Sequence, residues 1–446
     1  MNHTLHRLFW RIHFWAGLIS APIVVFAALT GLLYALSPQI EARLYANLDH
    51  VAVPAGSAVS MPLDQQVDAV VAGHPHEALR FVVPAREATD STQVYLQAAH
   101  AHHQASQGGH DHGLPTGSIV YVNPYTAQVL GQLPELQRFK TWSKKLHSSA
   151  LQGDGWRWLI ELGASWMLVL FATGLVLWWP QSQAQGGPGW RALWPRRGAS
   201  TRLSWRDLHA SVAIALGLVT ATVLVTGLTW AQHSGDNFRA AQQALGQNSP
   251  QPPKDLRSQP AAKDSPALGW QAVHERVRDL APDIAIQLTP PNGPEGVWRA
   301  ENFDRSQPVK RFVSLIDAHS GQTLFRSGWG QLPALSKATA VGIPFHRGEF
   351  GWWNQGLLIL AALAAVFSVV SGLVMWWLRR PRGAVAAPRV GRQTLRQLPS
   401  RTWWWLLPLA GALSLALPVF GCSLALFIGI EAVRLILEKK APISVS

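Results

Sequence analysis

Five long apolar runs constrain the fold of this chain more than any other feature of its sequence. They occupy residues 14–36, 159–179, 210–231, 355–378 and 403–430 and contain few charged residues. A helix needs about 20 mainly apolar residues to cross the hydrocarbon core of a bilayer. Tryptophan clusters stand at the ends of several runs, where interfacial aromatic residues are expected: Trp178-Trp179, Trp352-Trp353, Trp376-Trp377 and Trp403-Trp404-Trp405. The sequence therefore predicts an integral membrane α-helical bundle, with four core helices and a fifth, C-terminal one.

The distribution of arginine predicts the topology of these helices. The loops at 180–208 and 379–402 contain five and seven arginines, and short basic loops of this kind face the cytoplasm. We therefore expect a cytoplasmic N-terminus, with the polar segments 37–155 and 232–350 in the periplasm or outside the cell. For the last run, a single helix over 403–430 that leaves the C-terminus outside is favoured over a hairpin bent at Pro418.

Charge and cysteine content exclude several classes of protein. The formal net charge of +13 could indicate a nucleic-acid-binding protein, but the arginines stand beside the apolar runs. We therefore expect the lipid bilayer, and no nucleic acid, as a partner. The only cysteine, Cys422, excludes an internal disulfide, a Cys-x-x-Cys-His haem attachment site and a cysteine-ligated cluster.

Three pairs of matched segments indicate an internal duplication. The matched positions are Asn123 and Asp317 (317 − 123 = 194), His13 and His209 (209 − 13 = 196), and Gly174 and Gly372 (372 − 174 = 198). Apolar alternation over 118–130 predicts a β-hairpin, with the Asn123 side chain holding its turn. Each half is therefore expected to contain a helix, an external α+β domain and a second helix.

Four histidines lie at matched boundaries of the apolar runs. His13 and His209 are expected at the cytoplasmic ends of the first and third helices, and His147 and His346 (346 − 147 = 199) at the outer ends of the second and fourth. Imidazole is an axial ligand of haem iron, and ionisable residues in membrane helices favour a functional interpretation. The two pairs therefore predict two non-covalent b-type haems, with His233 as a reserve ligand.

The residues around the first histidine pair support this prediction. Small side chains would leave room for a flat macrocycle: Ala16, Gly17, Ser20, Ala21, Ala210, Ser211, Ala213 and Ala215. The alternative is that all four histidines lie in the headgroup region and bind water or lipid phosphate.

A second group of histidines occupies a loop rich in Gly, Gln and Ser. It comprises His100, His102, His103, His110 and His112. Such tracts bind Zn²⁺, Cu²⁺ or Ni²⁺ readily but loosely. We expect a loose, adventitious metal site here rather than a dedicated one.

Several motifs resemble those of a known family. They are Arg7-Leu-Phe-Trp-Arg11-Ile-His13-Phe-Trp-Ala-Gly17, Thr30-Gly31-Leu, Val122-Asn123-Pro-Tyr-Thr126-Ala-Gln, Ile316-Asp317-Ala-His-Ser320-Gly-Gln and Ser371-Gly372-Leu-Val-Met-Trp376-Trp377. Over nearly all of the chain up to about residue 400, this pattern is similar to the PepSY-associated transmembrane family. Within that family it looks like the bacterial inner-membrane ferric-siderophore reductases.

The resemblance implies a fold and an activity. Residues 37–155 and 232–350 would form two periplasmic α+β PepSY-like domains. The membrane helices would bind two b-type haems and carry electrons outward from a cytoplasmic donor or a quinol. The acceptor would be Fe³⁺ in a siderophore or another ferric chelate, held between the two domains and released as Fe²⁺.

Two other functions are compatible with the same sequence. In the first, the PepSY-like domains bind or regulate a periplasmic partner without catalysis, and the histidines are interfacial. In the second, the chain transports a divalent metal or a siderophore. Transport is disfavoured because the apolar runs contain almost no acidic residues that could line an ion path.

Overall fold

The chain forms two compact units. The computed structural model describes residues 3–56, 59–98, 114–184, 194–196, 200–259, 267–280, 282–380 and 398–440. The membrane unit comprises residues 1–33, 147–241 and 352–446, and the sheet unit comprises residues 34–146 and 242–351.

The regular structure of the membrane unit is helical in the part that the structure describes. Its helices, numbered in chain order with those of the sheet unit, are α1 (His3–Ala35), α6 (Arg157–Ala184), α7 (Thr201–Ala215), α8 (Gly217–Leu228), α9 (His233–Ala244), α12 (Trp352–Arg379), α13 (Ser400–Ala416) and α14 (Pro418–Lys440). Four stretches, His3–Ala35, Asp154–Trp179, Trp352–Arg379 and Pro418–Leu437, are long and apolar enough to cross a membrane. The helices extend beyond the apolar runs, most clearly at the start of α1.

The third apolar run is not one straight helix, contrary to the prediction for 210–231. Helices α7 and α8 meet at an angle of 59°. The break is at Leu216, and a Cβ atom on Gly217 would lie 2.2 Å from Cε2 of Phe171 on α6. The close approach of this ring requires a residue without a side chain where the chain bends.

The prediction of one helix over 403–430 was wrong. Helices α13 and α14 are separate, break at Leu417 and pack against each other. Trp405 of α13 stacks on Phe9, and Glu431 of α14 pairs with Arg11, so both ends of this hairpin contact the same part of α1. Proline cannot donate a backbone hydrogen bond within a helix, which explains a new helix at Pro418.

A bulky residue at the tip of this hairpin should destabilise it. A Cβ atom on Gly421 would lie 2.8 Å from Cβ of Ser414. We expect Gly421→Val to cost about 1–3 kcal/mol through overpacking, measured by thermal unfolding of the full-length protein in detergent. Gly429→Val is the control, because a Cβ atom there meets nothing within 4 Å. Equal unfolding temperatures for the two variants would contradict the hairpin packing.

The described residues of the sheet unit form eight strands and six α-helices. The strands are β1 (Glu77–Val83), β2 (Thr92–Ala98), β3 (Ser118–Val122), β4 (Val129–Pro134), β5 (Ile286–Thr289), β6 (Val297–Asn302), β7 (Phe312–Asp317) and β8 (Thr323–Gly328). The helices are α2 (Ser37–Leu44), α3 (Ala46–Asp49), α4 (Leu63–Gly73), α5 (Phe139–Ser149), α10 (Trp270–Val277) and α11 (Ala334–His346). Residues of α5 from His147 onward belong to the membrane unit.

A single antiparallel sheet runs through the whole sheet unit. Its strand order is β4-β3-β2-β1-β5-β6-β7-β8, so each half of the chain repeats the same order outward from the central β1–β5 pair. The predicted hairpin at 118–130 is present as β3 and β4, with Ser118 opposite Pro134. The two separate external domains that we expected are therefore one domain, joined where Val82 lies opposite Leu288.

The two halves also share a hydrophobic core. Helices α4 and α10 cover the sheet with buried residues from both halves, among them Val70 and Val273. The Asp64 carboxylate accepts hydrogen bonds from the backbone N–H groups of Trp270 (2.7 Å) and Gln271 (3.1 Å). In return, the Gln271 side chain accepts one from the N–H of Leu63. The two halves are therefore packed together on this side of the sheet, and the ferric chelate stays a prediction.

The matched turns of the sheet unit are held by their Asx side chains, as predicted. Oδ1 of Asn123 accepts a hydrogen bond from the N–H of Tyr125 (2.9 Å). Burial alone would raise the pKa of Asp317, but hydrogen bonds from the backbone N–H groups of Ser320, Gln259 and His319 lower it to about 2.

This turn predicts a pH dependence of stability. Because the folded pKa of Asp317 lies below its ordinary value of 3.8, its contribution is present above about pH 4 and is lost as the pH falls towards 2. Thermal unfolding of the full-length protein should therefore show Asp317→Asn to be less stable than wild type by roughly 2 kcal/mol at pH 6, with most of that difference gone at pH 2. A difference of the same size at both pH values would contradict this account.

Candidate cofactor site

Two histidines from different helices meet inside the membrane unit. The ring centroids of His13 on α1 and His209 on α7 are 6.3 Å apart, and their planes lie at 86° to each other. A metal–imidazole bond is about 2 Å long and each nitrogen lies about 1 Å from its ring centre, so one metal between two imidazoles separates their centres by about 6 Å. The observed spacing fits one metal ion held between these rings.

A hydroxyl on a neighbouring helix fixes the proton of His13. Oγ1 of Thr173 on α6 lies 2.9 Å from Nδ1 of His13 and donates to the carbonyl oxygen of Val169 at 2.7 Å. A hydroxyl has one hydrogen, and a carbonyl can only accept. Both hydrogen bonds therefore form only when Nδ1 carries the imidazole proton, which leaves Nε2 with a lone pair for a metal.

The same arrangement occurs at His209. Oγ of Ser371 on α12 lies 2.8 Å from Nδ1 of His209 and donates to the carbonyl oxygen of Phe367 at 2.6 Å. Hydrogen bonds to the second nitrogen of a ligating histidine set its tautomer and hold its ring in position. Both histidines thus have the tautomer and the support that a metal ligand requires.

A cavity of about 540 Å³ surrounds the two rings. This volume is within the range of about 300–1,000 Å³ that is usual for ligand pockets. Most of its lining is aliphatic or aromatic, and it contains residues from α1, α6, α7, α8 and α12. The bend at Gly217 contributes to it, because residues on both sides of that break line the cavity. An apolar cavity with two imidazoles 6.3 Å apart fits a b-type haem.

The small residues predicted to make room for a macrocycle divide into two groups. Gly17, Ser20, Ala21, Ala210 and Ala213 line the cavity. The remaining three, Ala16, Ser211 and Ala215, do not line it, and Ala16 is instead buried in a cluster with Trp166 and Phe420. Helix periodicity explains the difference, because neighbouring positions of one helix point in different directions.

A second supported histidine lies at the other end of α1. Oγ1 of Thr30 is 3.0 Å from Nδ1 of His147 and donates to the carbonyl oxygen of Phe26 at 2.7 Å. The His147 ring packs over Gly31, where a Cβ atom would lie 3.4 Å from Cε1. The single-proton argument therefore assigns the same tautomer to His147, about 25 Å along α1 from His13 at 1.5 Å per residue.

The other histidines have different positions. His346 is the last residue of α11 in the sheet unit, and its pairing with His147 stays a prediction. The backbone N–H of His233, the reserve ligand, donates to the buried Glu161 carboxylate (3.1 Å) at the start of α9. The loop histidines 100–112 lie outside the described residues. Among the residues that the structure does describe, no group of three or more His, Cys, Asp or Glu side chains could hold a metal ion.

Sequence reasoning missed the hydroxyl partners of the histidines. Thr30, Thr173 and Ser371 are each followed by glycine, and the same pair recurs at Thr226-Gly227. A hydroxyl residue before glycine in several apolar runs was a usable signal. From the sequence we interpreted this pair as the end of a helix. In the structure the hydroxyls of Thr30, Thr173 and Ser371 instead hydrogen-bond to imidazoles, and Gly31 and Gly174 lie against the imidazole rings.

The chain was compared with known protein families and with curated proteins. The family model described as PepSY-associated TM region matches residues 10–379 of the chain. The matched segment contains His13, His147, His209 and His346, together with all three hydroxyl partners. No curated protein shows significant similarity to the chain.

Removing one hydroxyl should weaken the site without emptying the cavity. Thr173→Val keeps the side-chain shape but removes the acceptor for the Nδ1 proton of His13. We expect a loss of about 10–100-fold in haem affinity, measured by Soret titration of full-length protein from haem-limited cells. Thr220→Val is the matched control, because Thr220 lines the cavity but makes no hydrogen bond to either ring. Equal affinity in the two variants would contradict the role of Thr173.

Proposed function

The chain belongs to the family of PepSY-associated transmembrane regions, and we propose that it is a di-haem b electron-transfer protein that reduces a ferric chelate. The substrate in this proposal is Fe³⁺ bound by a siderophore or a similar chelator, in the bacterial periplasm. One electron converts Fe³⁺ to Fe²⁺, which the chelator binds less tightly. The cytoplasmic or quinol donor would supply that electron.

One observation supports the proposal most strongly. The rings of His13 and His209 lie 6.3 Å apart in a largely apolar cavity. Both have the Nδ1-protonated tautomer, because Thr173 and Ser371 donate their own hydrogens to backbone carbonyls. Interfacial histidines bound to water or lipid phosphate need no such support. The arrangement instead favours a pair of axial ligands.

The residues of the chain would have three tasks at this site. The Nε2 atoms of His13 and His209 bind the cofactor, and the two hydroxyls hold the rings. The apolar lining excludes water. Bound haem would supply one-electron oxidation and reduction of its iron.

A second haem site is proposed at His147, with His346 as its partner ligand. The two sites would lie near opposite ends of α1. In this orientation the arginine-rich ends of α7 and α12 face the cytoplasm, so the His13–His209 site receives the electron first. Two sites would divide the crossing of the inner membrane into shorter transfers.

An internal duplication accounts for the two sites. The strand order of the sheet unit repeats outward from the β1–β5 pair. A back-bonded hydroxyl contacts a histidine at Thr173 in the first half and at Ser371 in the second. Each half would therefore supply one ligand to each haem.

The alternative functions have less support. Among the residues that line the cavity, none is Asp or Glu, which disfavours a path for divalent cations. A non-enzymatic binding protein would have no need for two histidines with matched hydroxyl partners.

Haem content of histidine variants tests the proposal. Full-length protein purified from haem-replete cells should contain about two haems per chain, because each of the two proposed bis-histidine sites would hold one. His13→Ala and His209→Ala should each remove about half, and the double variant should lose no more than either alone, because both residues serve one site. His13→Ala combined with His147→Ala should remove nearly all of it. His50→Ala, at an exposed pair with Asp90, is the control.

Reductase activity requires a separate measurement. Protein reduced with dithionite should be reoxidised when a ferric siderophore is added, followed by stopped-flow absorbance. A preparation without a Soret band would overturn the whole proposal. A Soret band without reoxidation would leave the haem sites standing and reject the substrate.

A further inference from the structure

One end of the cavity in the membrane unit is basic. His6, Arg202, Arg206 and Arg379 line it there, in contrast to its apolar body. These residues lie at the start of α1, the start of α7 and the end of α12. The cavity therefore suits a ligand with an apolar body and an anionic end.

Two of these cations have no counter-ion in the described part of the chain. Arg206 is paired with Asp207 at 3.1 Å, but neither Arg202 nor Arg379 has a carboxylate partner there. The loops 185–199 and 381–397 contain no Asp or Glu, so they offer no carboxylate either. Arg202 is exposed and Arg379 is half-buried. An unpaired charge is costly where it is partly buried, and an anion in the cavity would offset that cost for Arg379.

Aromatic rings hold one of these guanidinium groups at the cavity. The Cζ atom of Arg379 lies 4.4 Å from the ring centroid of Trp10 and 5.8 Å from that of Phe14, and both rings line the cavity. Contact with a ring face leaves the N–H donors in the guanidinium plane available. A planar fork of donors matches a carboxylate in a bidentate manner.

We propose that Arg379 and Arg202 bind the two propionate carboxylates of the haem held by His13 and His209. This inference rests on the proposed function and adds the orientation of the cofactor. The carboxylates would lie at the basic end of the cavity, and the macrocycle would lie among the small residues of α1 and α7. The arginines then bind a ligand in addition to any role in topology.

The rate of haem loss tests the role of Arg379 in the intact protein. Purified full-length protein is mixed with excess apomyoglobin, and the transfer of haem is followed at the Soret band. We expect Arg379→Gln to lose the haem of this site about tenfold faster than wild type, since hydrogen bonds to charged groups are among the stronger ones. The matched control is Arg380→Gln, whose guanidinium stacks on Trp377 and does not line the cavity. Equal acceleration by both variants would attribute the effect to general surface charge and overturn the proposal.

A modified cofactor tests the propionates directly. The experiment titrates protein from haem-limited cells with haem and with its dimethyl ester, in which both carboxylates are blocked. The background is His147→Ala, so that only the first site is measured. Wild-type arginines should give about tenfold or greater preference for haem, and Arg202→Gln combined with Arg379→Gln should abolish that preference.

The outcomes distinguish this inference from the proposed function. Equal affinity for haem and its ester would reject the propionate site and assign the arginines to other anions such as lipid phosphates, while the histidine ligands would stand. No Soret change with either porphyrin would reject the haem site itself, and the inference with it.

Discussion

The hydrogen bond between a back-bonded hydroxyl and an imidazole is the interaction on which the proposed cofactor site of the membrane unit depends. The hydroxyls of Thr173 and Ser371 accept hydrogen bonds from Nδ1–H of His13 and His209, because their own hydrogens are donated to helix carbonyls. A free imidazole has two tautomers of similar energy. Only the Nδ1-protonated tautomer has a lone pair on Nε2 that can bind a metal ion. The helix backbone thus selects the chemical state of a side chain on another helix.

The packing of the helices places these groups within reach of each other. Helix α1 contributes His13 near one end and Thr30 near the other, so it is common to both histidine sites. The bend between α7 and α8 adds lining on both sides of Gly217 and helps to form the cavity.

The sequence allowed some of these features to be predicted and concealed others, for physical reasons. Apolar length is a local property, so α1, α6 and α12 could be located, and repeat spacing identified His13 and His209 as a pair. The bend at Leu216 has no proline to mark it, and the Phe171 ring that lies against Gly217 belongs to another helix. The merging of two external segments depends on β1 and β5 pairing across about 200 residues of chain, which periodicity does not report. Pro418 was compatible with either a kinked helix or a hairpin, and contacts with α1 decide for the hairpin.

The pairing of β1 with β5 affects the synthesis of the protein. Strand β1 ends at Val83 and β5 begins at Ile286 (286 − 83 = 203), so the ribosome needs about 10–40 s to make the intervening chain. During that time helices α6 to α9 are also made, while the edge of β1 keeps unpaired backbone groups that invite aggregation. The first half of the sheet is therefore open to edge-to-edge association until its other half has been made.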